Sequence, residues 1–128
     1  MVLPVLCLIF FGIIQFGITL NHYIELANGV AAGAHQLSLG RNSTTPYSST
    51  ITAIDNASVN LTASKMTVTV YVNSTTSCST DATCEADYPS TGGAGSSTVT
   101  VTYPCDLNIF KIIWSSCTLT STSTDIIQ

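Results

Sequence analysis

Two histidines, seven acidic residues and five cysteines carry most of the side-chain chemistry available to this 128-residue chain. His22 and Glu25 stand three apart, a spacing that on a helix presents two ligands on one face. A metal site needs further ligands and none is near, so the pair reads as polar groups closing an apolar stretch. Asp81, Glu85 and Asp87 gather around Cys84 with donor chemistry suited to Ca²⁺. The ligand spacing of a calcium-binding loop is missing, so they read as solvated loop charges. His22 and His35 both fall in the first helical stretch, away from any Ser or Cys that would need a base. No G-x-S-x-G, H-E-x-x-H, P-loop or dinucleotide-binding pattern occurs. No enzymatic activity, catalytic residue, cofactor or metal is expected.

The cysteines divide by position. Cys7 sits alone in the apolar stretch and reads as a small hydrophobe. Cys78, Cys84, Cys105 and Cys117 lie in the second half, an even number suited to two disulfides in an oxidising compartment. Their C-x5-C and C-x11-C spacings are not those of zinc sites. Three connectivities are open; Cys78–Cys84 with Cys105–Cys117 is favoured because each bond closes part of one long connection. Four N-x-S/T sequons, at Asn42, Asn56, Asn60 and Asn73, are N-glycan acceptors in a glycosylating host, and all lie outside the apolar stretch.

Composition narrows the function classes. Only ten residues are charged, for a net charge of −4, while 16 Ser and 20 Thr make more than a quarter of the chain hydroxyl-bearing. Three scattered cations cannot neutralise a run of phosphates, which excludes a nucleic-acid surface. The 45% hydrophobic content excludes a solvated disordered chain. A membrane-tethered or polymerised surface protein fits this balance better than a cytosolic enzyme.

From Val2 to Leu20 no charge occurs, and Gln15 and Thr19 are the only polar interruptions. As a helix these nineteen residues rise about 28 Å, close to the ~30 Å hydrocarbon core of a bilayer. Pro4 suits a first helical turn. Apolar residues then recur at Ile24, Ala27, Val30, Ala31, Ala34 and Leu37, which predicts one helix from about Leu3 to Leu37, ended by Gly40 and Arg41. Ala32-Gly33-Ala34 meets the small-x-small rule of a signal-peptide cleavage site, but it lies far beyond the apolar core and no positive residue precedes that core. The segment is therefore expected to stay in the working protein.

After a turn-rich linker, Ser48 to Ala57 reads as a short helix or turn, with Ile51 and Ile54 three apart. Met66, Val68, Val70 and Val72 alternate with Thr67, Thr69 and Tyr71 in a half-buried strand. Val99, Val101 and Tyr103 alternate with Thr98, Thr100 and Thr102 in a second, and Cys117 and Leu119 with Thr118, Thr120 and Thr122 in a third that runs towards Ile126. A three-stranded sheet needs a cover for its apolar face, and the amphipathic half of the first helix can supply it. Two long connections join the strands, 73–97 and 104–116. The second carries Ile109, Phe110, Ile112, Ile113 and Trp114, an apolar patch that reads either as an interface or as a segment folded on the sheet edge. The fold class is α+β: a long N-terminal helix with its apolar half projecting and its amphipathic half packed on a small antiparallel β-sheet. Residues 1–40 form the membrane or core helix, and residues 41–128 an extracytoplasmic head.

The run Val2-Leu3-Pro4-Val5-Leu6, then Phe11-Gly12-Ile13-Ile14-Gln15-Phe16-Gly17, resembles the start of the TadE-like family, pilin-like proteins of tight-adherence (Flp-type) pilus systems. Leu20-Asn21 and the small-residue stretch from Ala27 to Ala34 match how that helix continues. Lys65-Met66-Thr67-Val68-Thr69-Val70 and Val99-Thr100-Val101-Thr102-Tyr103-Pro104 resemble two strands of the same family; Gln15 stands where the family often has Glu.

The resemblance implies a pilin-like subunit, held first in the inner membrane and then packed among like helices in an extracellular filament that serves surface attachment. Pro4, Phe11, Gly12, Phe16, Gly17, Gly29 and Gly33 are the expected helix-packing or membrane residues, with Gly29-x-x-x-Gly33 at small-xxx-small spacing. Head-to-tail contacts of one kind generate helical polymers. Its partners would be further copies or other pilins, the inner membrane and the pilus assembly machinery. The alternatives are a minor pilin that primes or caps a pilus of another subunit, and a single-pass membrane-anchored binding module that never polymerises.

Overall fold

The structure, a computed structural model, describes residues 2–73, 76–89, 93–105 and 117–128. The first helix, α1, spans Leu3–Ser38, with a proline at its first turn. Its end is tied by backbone bonds from Leu39 N–H to the His35 carbonyl and from Gly40 N–H to the Leu37 carbonyl, which satisfy acceptors the helix itself leaves open. Gly40 thus stands at the terminus as its residue type suggests. Arg41 does not stay on the helix end: its Nη2 donates to the Gly93 carbonyl at 2.8 Å.

The second helix, α2 (Pro46–Ala57), again carries proline in its first turn, where the missing N–H costs nothing. It runs back along α1. A Cβ added to Gly33 would come within 2.6 Å of the Ile54 side chain, and one added to Gly29 within 3.3 Å of the Ile54 carbonyl. The two helices therefore cross closely, and a Cβ at Gly33 would displace Ile54.

Four strands form one antiparallel sheet in the order β2-β1-β3-β4: β1 is Thr67–Val72, β2 Ser77–Cys78, β3 Ser96–Pro104 and β4 Thr118–Ile126. The pairing of β3 with β4 is unbroken from Ser96↔Ile126 to Pro104↔Thr118. Val70, Val72, Val99, Val101 and Tyr103 point inward and are buried, as strict alternation requires. Leu26, Val30, Ala34 and Leu37 of α1 meet them, with Ile54 of α2, Leu61 and Ile127. The outward face is threonine. Thr98 pairs with Thr124 and Thr100 with Thr122, each hydroxyl pair 3.0 Å apart.

The connection from 73 to 97 holds more order than its composition suggests. It contains β2 and a third helix, α3 (Asp81–Asp87), whose N-cap Thr80 accepts from Thr83 N–H while the Thr83 hydroxyl accepts from Thr80 N–H. The apolar run Ile109, Phe110, Ile112, Ile113 and Trp114 lies outside the described residues.

Candidate functional site: the exposed half of the first helix

One helix carries two environments. From Val2 to Ile24 the large apolar side chains of α1 are exposed, Phe16 at 70% and Ile24 at 56%, whereas Leu26 is 1% exposed. The change falls within two residues because the head begins there. The exposed stretch from Leu3 to Ile24 is about 33 Å long at 1.5 Å per residue, enough to cross the hydrocarbon core of a bilayer. Its most apolar window has no side chain buried by the rest of the chain. A soluble domain does not leave a surface of this kind uncovered.

The polar groups inside this stretch are few, and one of them is satisfied by the helix itself. The Thr19 hydroxyl donates to the Gln15 carbonyl at 3.0 Å, so it presents no free donor to an apolar surrounding. Pro4, Phe11 and Phe16 are exposed, and Gly12 and Gly17 have nothing within 4 Å of where a Cβ would lie. Cys7 is a free, exposed thiol. Gly29 and Gly33 are placed differently. The helix α2 occupies their face, and the close approach they permit is made within the chain.

A polar collar marks the junction. Asn21 Nδ2 donates to Glu25 Oε1 at 3.2 Å, and Asn60 Nδ2 reaches the same oxygen. The second carboxylate oxygen, Oε2, is buried without a partner among the described residues. The His22 ring meets Tyr103 edge-on, with centroids 6.1 Å apart. His22 and Glu25 thus turn to the head rather than to a shared ion, and no group of metal-ligating side chains occurs among the described residues.

The other candidate residues lie in the head. Cys78 bonds to Cys84, joining β2 to α3, and Cys105 to Cys117, joining the end of β3 to the start of β4. Asp81 does not gather with Glu85 and Asp87 around an ion. Its carboxylate accepts from Ser48 Oγ at 2.6 Å and Ser48 N–H at 2.8 Å, which holds its pKa below the usual carboxylate value and ties α3 to α2. Tyr88, just beyond α3, was not singled out by sequence. Its hydroxyl donates to the Leu37 carbonyl at 2.6 Å, and burial pushes its pKa up to about 12. Asn42, Asn56, Asn60 and Asn73 are all exposed. Asn42 and Asn73 adopt positive φ, 70° and 45°, which asparagine tolerates better than most residues. The Asn60 amide nitrogen, where a glycan would attach, is engaged by Glu25.

A family model described as TadE-like protein matches residues 1–35, the whole of the exposed stretch and the junction that follows it. No curated protein and no solved structure matches the chain.

Proposed function

We propose that this chain is a pilin-like structural subunit that anchors in the inner membrane through α1 and polymerises through the same helix into an extracellular filament serving surface attachment. The observation that carries the reading is the division of α1: one half forms the core of a head, while the other is almost wholly apolar and uncovered. The TadE-like match covers that half and links the chain to tight-adherence pilus systems. In the membrane, lipid would cover the exposed half; in a filament, neighbouring helices would replace the lipid. Open positions at Gly12 and Gly17 suit the close approach of a second helix.

On this reading residues 1–40 are the anchor and filament core, and residues 41–128 the exterior head. The role is structural rather than enzymatic. Threonine on the outer sheet face and two disulfides suit a surface exposed to water and proteases. Partners are further copies of the chain or other pilins, and the assembly machinery that extracts the helix from the membrane.

The test is to shear cells that make the protein and identify the chains in the released fibres. This chain as the dominant component establishes a filament-building subunit. Trace amounts at fibre ends point to a minor pilin that primes or caps, and full retention in the membrane fraction sinks polymerisation altogether.

A further inference from the structure

The head has two ends, and they differ in chemistry. Three contacts set its orientation along α1. Ser97 Oγ lies 3.2 Å from the Ala34 carbonyl, Tyr103 meets His22, and Asn60 meets Glu25. Strand β3 therefore descends from the level of Ala34 to that of His22, where α1 leaves the head. Val59, Tyr103, the Cys105–Cys117 disulfide and Thr118 lie at this lower end. Pro46, α3 and the end of α1 lie at the other, as the Tyr88–Leu37 and Ser48–Asp81 bonds require.

Charge separates along the same axis. Among the described residues, the lower end carries Glu25, already engaged by two asparagines, and Lys65, next to β1, with the exposed Asp55 of α2 between the two ends. The upper end carries Arg41 with Asp81, Glu85 and Asp87, and Asp125 beside His35. Val59, at the lower end, is 79% exposed, a large apolar side chain held in the open beside the collar. Tyr23 and His22 add amphipathic rings at the same level, the kind that collect where hydrocarbon meets water.

We propose that this lower end of the head is a second membrane contact, seated in the headgroup layer while α1 spans the bilayer; it rests on the reading of α1 as an anchor. The occupant is a lipid surface, for two reasons. The end is continuous with the apolar helix, and with His22 at the hydrocarbon boundary Glu25 stands only about 4.5 Å further out. The headgroup region is roughly 5–7 Å deep on each side of the core, so Asn60 and Val59 fall inside it. The second reason is charge. An anionic leaflet repels the acid-rich upper end and tolerates the lower one. The head is thereby held at a fixed height and tilt before any assembly step, instead of swinging on a tether.

The experiment uses the full chain in vesicles of phosphatidylethanolamine and phosphatidylglycerol, carrying one nitroxide label at a time. Labels go on native Cys7, on V59C in a C7A background, and on T44C at the upper end in the same background. Access to dissolved oxygen and to a water-soluble nickel chelate gives the depth of each. The expected result is Cys7 deep in hydrocarbon, V59C shielded from the chelate severalfold relative to T44C, and T44C fully in water. A deep Cys7 with V59C as accessible as T44C overturns the second contact and leaves the anchor standing. A water-accessible Cys7 overturns the anchor, and the proposal with it. Because Val59 and Thr44 are exposed, neither substitution disturbs the core.

Discussion

The two halves of α1 are built from similar residues and do opposite things. Both are rich in aliphatic side chains and glycine. In the half that follows Ile24, apolar residues fall on one stripe, and Leu26, Val30, Ala34 and Leu37 close on a sheet. In the half before it, apolar residues surround the helix, and no element of the described residues covers them. The glycines make the same point: Gly33 is pressed against Ile54, while Gly17 meets nothing. What separates the halves is the pattern of polar residues and the presence of α2, not the overall hydrophobicity. A stripe can be satisfied within the chain, whereas an apolar cylinder needs lipid or another molecule.

The contrast can be broken at several points. The largest expected effect is on the packed half: Leu26→Ala or Ile54→Ala should destabilise the head by about 2–5 kcal/mol in chemical denaturation, because each leaves a cavity in a closed core. Ile14→Ala in the exposed half should leave that transition where it is. Equal losses from both would show that the exposed half belongs to the folded head.

A charge reverses the asymmetry. Ile14→Asp should cost roughly 2.5–3.5 kcal/mol in membrane insertion and shift the chain to the soluble fraction, with the head's denaturation unchanged. Next come the glycines. Gly33→Ala should destabilise by about 1–3 kcal/mol, since its Cβ would overlap Ile54. Gly17→Ala should instead favour the helix by up to about 1 kcal/mol, visible as increased helicity in detergent. Loss of stability from both substitutions would mean that Gly17 too is covered within the chain.

The smallest effect concerns pH. The Asp81 pKa is lowered in the folded head by its bonds to Ser48, so the ionised carboxylate favours the folded arrangement. That contribution is present above the ordinary carboxylate value of 3.8 and is lost as pH falls through the lowered folded value. Amide exchange in α3 should therefore accelerate in acid. Ser48→Ala should remove most of this dependence while leaving exchange in β3 unaffected, because β3 is held by ladders on both sides.

The strands were legible because Val–Thr alternation has one solution in a half-buried sheet: valines in, threonines out. The length of α1 was legible from a run of apolar residues that only a helix of this size accommodates. The short elements were not. A two-residue strand has no period to read, and α3 is about two disulfide-held turns whose only local signal is the Thr80–Thr83 cap. The Ser, Thr and Gly content of the 73–97 stretch reads as open loop, although Cys78–Cys84 and Tyr88 pin it to the core.

By itself the sequence determined where apolar surface would be one-sided and where it would be all-round, since that depends only on residue order and helical or strand period. Tertiary structure alone decided which apolar surface is used up inside the chain. Gly29-x-x-x-Gly33 has the same spacing whether its partner is α2 or another molecule, and only the return path of α2 assigns it. The same holds for the polar collar. Nothing in the spacing of His22 and Glu25 shows that one turns to Tyr103 and the other to Asn60, residues 81 and 35 positions away, because contacts across such separations are chosen by how the elements pack.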